Sequence, residues 1–229
     1  MDALLQALQL LFGENPELRE IIGVTLQMSF FSTSISALLG IPFGVWIGSN
    51  DFRGKPFVQR ITNTLMGLPP VVAGLIVFLI LSRSGPLGKL KLLYTVAAMV
   101  IAQVVLITPI ITGLTANIVS LRAPQIRETA AGMGLSRFQR MLYTAYDCRV
   151  QFVSTILAGF GRAIAEVGAV QIVGGNVQYK TRVMTTAIML QTNMGHFEFA
   201  IALGLVLLVI SFLINALVQR FSDGQAGKA

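Results

Sequence analysis

Five long, mainly apolar runs set the terms on which this chain can fold: residues 21–47, 61–81, 92–118, 152–173 and 199–218. A helix needs about 20 such residues to cross roughly 30 Å of hydrocarbon. The chain is therefore expected to be an all-α membrane protein with about five transmembrane helices. Charged residues make up 12% of the chain, half of the roughly 25% typical of soluble domains. With 229 residues, almost nothing is left for a separate soluble domain. One transmembrane domain is expected over 20–220, with a short tail at 221–229. Residues 1–19 read as an external amphipathic helix on the membrane surface, because the apolar stretch from Leu4 to Phe12 is too short to span. No basic n-region precedes that stretch, so no cleavable signal peptide is expected. Residues 183–194 are apolar but short, which fits a re-entrant or partly inserted helix.

The net charge of +7 does not point to nucleic acid, because no aromatic–basic face accompanies it. The basic residues lie between the apolar runs and follow membrane topology instead. An external N-terminus puts ten lysines and arginines inside, including Arg122, Arg127, Arg137, Arg140 and Arg149 between the third and fourth runs; six lie outside. The C-terminus is then cytoplasmic. Lys180 and Arg182 fall outside, where they can attract an anion or meet an external protein, although loop charges are commonly just solvated. The single cysteine, Cys148, excludes an intrachain disulfide and a thiolate metal site. His196, the one histidine, has no ligand cluster around it. No cofactor and no metal are expected.

The polar segment from Pro124 onward is the strongest functional signal. Pro124 suits the first turn of a helix. Arg127, Ala130, Ala131, Gly134 and Phe138 then recur at helical spacing on one face, flanked by Glu128. A small-residue face with charged edges suits insertion into a groove on a partner protein; the plainer reading is a solvated connector. Inside the spans, Gln27, Ser32, Thr33, Ser34, Pro69, Pro70, Gln103, Thr108 and Pro109 serve either close helix packing or a polar pathway.

Glu128-Thr129-Ala130, with Gly134 six residues after Glu128, is similar to the EAA loop of permease subunits of bacterial ATP-binding-cassette importers. Where that pattern continues to Leu-Pro, this chain has Thr144, Tyr146 and Asp147. The run from Leu68-Pro69-Pro70 to Leu75 resembles the second-span motif of molybdate, sulfate and tungstate permeases. The stretches 159–170, 173–176 and 181–188, the last containing Thr185 and Thr186, resemble the tungstate-type branch. The resemblance covers about residues 20–220. It implies a permease in a bacterial or archaeal cytoplasmic (inner) membrane, working as a dimer of two copies. It further implies two ATPase subunits docked on residues 127–138, an external solute-binding protein, and tungstate as cargo. Molybdate or another tetrahedral oxyanion such as sulfate stays open, and so does a non-transporting membrane assembly protein. Pro69, Pro70, Thr185 and Thr186 become candidates for the pathway or its gate.

Arg162 and Glu166 are four residues apart, so one helix face would carry both. A charge at the bilayer centre costs about 2.5–3.5 kcal/mol on insertion scales. The two are expected to pair and to face protein or water. The pair serves either packing or a transient contact to a passing dianion. Gly161 and Gly168 are expected to allow close helix crossing. The Gly159-Phe160-Gly161 start is no dinucleotide fingerprint, and the chain has no P-loop. It is not expected to be an enzyme, and ATP hydrolysis would lie in separate subunits. An intramembrane enzyme would need a nucleophile or metal constellation that the sequence lacks.

Overall fold

The computed structural model describes residues 16–226, without the side chains of 127–131, 217–219 and 221–226. The expected surface helix at 1–19 falls almost wholly outside the described residues. The elements are α1 (Pro16–Ser49), α2 (Lys55–Met66), α3 (Pro70–Leu81), a 3-10 turn (Gly88–Leu90), α4 (Val96–Gly132), α5 (Arg137–Asp147), α6 (Arg149–Ile164), α7 (Gly168–Gly174), α8 (Met184–Asn193) and α9 (Phe197–Ala226). There is no strand among the described residues. Three helices are long and apolar enough to cross a membrane, and up to five spans result if each bent pair counts as one.

The sequence explains where the helices break. Gly67 closes α2, and two prolines follow. A residue before proline is driven out of the helical region, and Pro69 duly sits extended at φ −60°, ψ 127°. Pro70 then opens α3, where its missing N–H costs nothing. The expected run 61–81 is thus divided into two helices, α2 and α3. The run 152–173 is likewise divided at 165–167, where α6 and α7 meet at 57°. Gly161 and Gly168 therefore lie on opposite sides of a break rather than on one helix. A Cβ at Gly161 would meet nothing within 4 Å, while one at Gly168 would press on Val71. The expectation of a shared glycine crossing is corrected accordingly.

The polar connector also differs from expectation. Pro124 does not start a helix. It lies inside the 37-residue α4, where it leaves one backbone bond unmade and crowds the carbonyl four residues back. The helix stops at Gly132, and Gly134 takes a left-handed φ of 66°, a conformation that a Cβ penalises. Ser136 then restarts the chain with a capping box. Its hydroxyl accepts from the Gln139 N–H at 3.3 Å, and the Gln139 side chain accepts from the Ser136 N–H at 2.9 Å. Gly134 is therefore in a turn and Phe138 belongs to α5, so neither continues the face of Arg127, Ala130 and Ala131. Those three, with Glu128, have helical backbone in α4, and their side chains lie outside the described residues.

Two compact units divide the chain. Among the described residues, unit 1 holds 16–32, 69–103 and 161–216; unit 2 holds 33–68, 104–160 and 217–226. In unit 1, Leu18 and Ile21 of α1, Met184 and Ala187 of α8, and Leu203 and Val206 of α9 form an apolar core. In unit 2, Val45, Val119, Cys148 and Phe152 form another. There Gly40, Gly44 and Gly48 repeat every four residues along α1 and let it lie against α4. A Cβ on Gly44 would fall 2.6 Å from the Thr115 Cβ and 2.7 Å from the Thr112 carbonyl oxygen. Phe30, Leu38, Leu39, Leu208 and Phe212 remain exposed, as expected of side chains that meet lipid or another subunit.

Candidate functional site

The break between α6 and α7 gathers the polar residues of unit 1. An interrupted helix leaves carbonyls at its first end and N–H groups at its second. Here several of them have side-chain partners. Gln103 of α4, fully buried, donates its amide to the Ala163 carbonyl at 2.8 Å and accepts from the Ser32 hydroxyl of α1. Glu166 accepts from the Ala169 N–H at 3.2 Å, in the manner of a helix cap. Thr185 donates to the Glu166 carbonyl at 2.8 Å. The corner is thus tied to α1, α4 and α8 by hydrogen bonds among buried groups.

Arg162 and Glu166 do pair, with Nη2 3.4 Å from Oε2. They meet although Glu166 lies beyond the end of α6. The two are unequal: the Glu166 side chain is 4% exposed and that of Arg162 42%. The contact is single rather than forked. No second acceptor for the guanidinium occurs among the described residues. The carboxylate is thus fixed on the inside while the cation keeps donors turned outward. A guanidinium fork of this kind suits an oxyanion.

The first turn of α3 packs on the first turn of α7. A Cβ at Gly74 would come within 2.7 Å of the Ala169 Cα, and the Val71 side chain lies against Gly168. Pro69 and Pro70 place α3 for this contact: the Pro69 carbonyl accepts from Val72 and Ala73 at 3.0 and 3.1 Å. Of the candidate pathway residues, Arg162, Glu166 and Thr185 are brought together. Pro70 begins the helix packed on α7. Thr186 is engaged locally, at the start of α8, where it accepts from the Val183 N–H at 3.1 Å and donates to the Val183 carbonyl. Thr25 of α1 also serves α8, accepting from the Met184 N–H at 3.0 Å. The sequence shows Gln103 as a polar intrusion without giving it a role, and it gives Thr25 and Gly74 no prominence as contact residues. The signal for Gln103 is its isolation in an apolar run. Nothing in the sequence marks which carbonyl it meets.

Arg182 is engaged within the chain, with Nη1 2.9 Å from the Glu17 Oε1, and its side chain is only 15% exposed. Lys180 is exposed on the same loop. Of the connector residues with described side chains, Phe138 is exposed on α5 and Gly134 is exposed in the turn. Cys148, between α5 and α6, is buried, and burial pushes its thiol pKa up, with Asp147 adding to the effect and Arg122 opposing it.

Several helical segments apolar enough to cross a membrane, two of them bent pairs, with a charged pair at one break, fit a polytopic membrane protein. The family described as binding-protein-dependent transport system inner membrane component matches residues 40–225. The chain belongs to that family, the membrane permeases of ATP-binding-cassette importers. It is similar to the tungstate uptake system permease protein TupB of Peptoclostridium acidaminophilum, 41% identical over 95% of both chains. The TupB of Campylobacter jejuni is 36% identical over 96% of this chain and 92% of that one. A probable anion ABC transporter permease of Haloferax volcanii is 39% identical over 91% and 92%. The fold matches a chain in the crystal structure of a bacterial alginate ABC transporter in complex with an alginate pentasaccharide-bound periplasmic protein. The TM-score is 0.75 at 18% identity, over 96% of this chain and 86% of that one.

Proposed function

We propose that this chain is the permease subunit of an importer for tungstate, with two copies lining the pathway. The observation that carries the cargo is the 41% identity to a tungstate uptake permease over 95% of both chains. Sulfate and molybdenum permeases are similar at only 24–25% identity. On this reading two ATPase subunits dock on the end of α4 and the turn through Gly134, and an external binding protein delivers the anion. The N-terminus is external and the C-terminus cytoplasmic, with α8 entering the bilayer only part way. Ten residues of helix rise about 15 Å, half the hydrocarbon thickness.

In this mechanism Arg162 meets the passing dianion with its outward donors. Glu166, already held by the Ala169 N–H and Arg162, weakens that hold enough for release. Passage needs binding that is favourable but short-lived, and a fully unpaired arginine would retain the anion. The test is the complex reconstituted in liposomes with its ATPase and binding protein. Tungstate-loaded binding protein should stimulate ATP hydrolysis and uptake more than molybdate or sulfate does. Equal stimulation by sulfate or molybdate would refute the tungstate assignment.

A further inference from the structure

A cavity of about 300 Å³ in unit 2 is lined by Asn50, Asp51, Ala123, Arg137, Arg140 and Thr144, among others. It lies between the corner after α1, the last part of α4, and α5. The Ser136 capping box fixes the first turn of α5. Arg137 and Arg140 are three apart and so leave that helix on neighbouring positions. Neither has an ion-pair partner among the described residues, and the Arg140 Nε is buried without a hydrogen bond. A buried donor left without a partner is unfavourable. Asp51, also in the wall, pairs with Lys55 at 3.3 Å, and the two arginines outnumber it among the described lining residues. The Thr144 hydroxyl is turned to the Arg140 carbonyl at 2.8 Å. The cavity is thus polar, basic, and roomy enough for an anion with several waters.

We propose that this cavity is a second anion site, distinct from the corner at Arg162, and that it binds a small tetrahedral oxyanion. Arg137 and Arg140 supply forked, charge-assisted hydrogen bonds, for which guanidinium is better suited than ammonium. The oxyanion is either inorganic phosphate or the transported anion; only the second source rests on the transport reading above. An ion held here would link α5 to the corner after α1 and stabilise that arrangement by mass action.

The test is calorimetric titration of the purified full-length chain with sodium phosphate and, separately, sodium tungstate. Both titrations use an Arg162→Gln background, so that the corner site does not contribute. Saturable binding of at least one anion is expected. Arg140→Gln should weaken it about tenfold or more, and Arg60→Gln, away from the cavity, should leave it unchanged. Phosphate binding alone assigns the site to phosphate, and tungstate binding alone to the transported anion. If Arg140→Gln does not fold, Arg140→Lys is read instead: it keeps the charge and loses the fork, and binding must still weaken. No saturable binding of either anion, or unchanged binding when Arg137→Gln and Arg140→Gln are combined, overturns the proposal. So does a loss of ATPase co-purification in these variants without any anion binding, which would make the cavity part of the docking surface. Uptake failure in the liposome assay with binding intact here would sink the transport reading alone.

Discussion

Replacing Glu166 separates two roles that one side chain performs. Its Oε1 accepts the Ala169 N–H at 3.2 Å, and its Oε2 pairs with Arg162 at 3.4 Å. Glu166→Gln keeps a carbonyl acceptor for the N–H and removes the charge. Because Arg162 is 42% exposed, the pair is valued as a partly screened one, about 0.2–1 kcal/mol. Turning a charge-assisted bond into a neutral one adds about 1 kcal/mol, so Glu166→Gln should cost about 1–2 kcal/mol. Glu166→Ala also orphans a buried N–H, worth about 1–3 kcal/mol, and should cost about 2–5 kcal/mol in all. The assay is reversible unfolding of the detergent-solubilised chain by increasing denaturant, with assembly on the ATPase and uptake measured alongside. A double-mutant cycle with Arg162→Gln should show coupling of about 0.5–1 kcal/mol. If the alanine variant is no less stable than the glutamine variant, the capping role is wrong. Strictly additive losses in the cycle would show that the two side chains do not interact. Restored assembly with low uptake in the double variant is the outcome expected if Arg162 meets the anion; restored uptake would leave the pair purely structural.

Gly44→Ala places a methyl 2.6 Å from the Thr115 Cβ and 2.7 Å from a backbone oxygen; overpacking of this kind should cost about 1–3 kcal/mol, read as a lower melting temperature, whereas Gly161→Ala, with open space around it, should not. Gly134→Trp should leave membrane insertion intact but abolish transport and ATPase co-purification; retention of both would rule out docking at the turn. In a Cys148→Ala chain, Gln125→Cys should resist an impermeant external thiol reagent and Leu87→Cys should react; the reverse pattern overturns the orientation. With its thiol pKa raised by burial, native Cys148 stays neutral through the physiological range. Its stability contribution is complete below the ordinary thiol pKa and is lost as pH climbs through the raised one, so alkylation should accelerate, and the melting temperature drop, only at alkaline pH.

Local chemistry in the sequence determined that the chain is a helical membrane protein. Runs of apolar residues have no stable place in water, and a helix alone satisfies its own backbone. It also pointed to the Arg162–Glu166 pair, because four-residue spacing brings side chains together whenever the chain is near-helical. It marked Pro69-Pro70 without revealing that one apolar run becomes two helices there, since a proline is also tolerated inside a membrane helix. The expected helix from Pro124 through Phe138 failed for a related reason. Proline is compatible with a helix start and with a helix interior, and the left-handed Gly134 and the Ser136–Gln139 box decided the boundary instead. Tertiary structure alone decided that Gln103 meets the Ala163 carbonyl, that Thr25 caps α8, and that Glu166 faces inward while Arg162 faces out. Those assignments depend on which orphaned backbone groups come within about 3 Å of side chains many residues away. Chain spacing cannot encode that distance until the helices have packed.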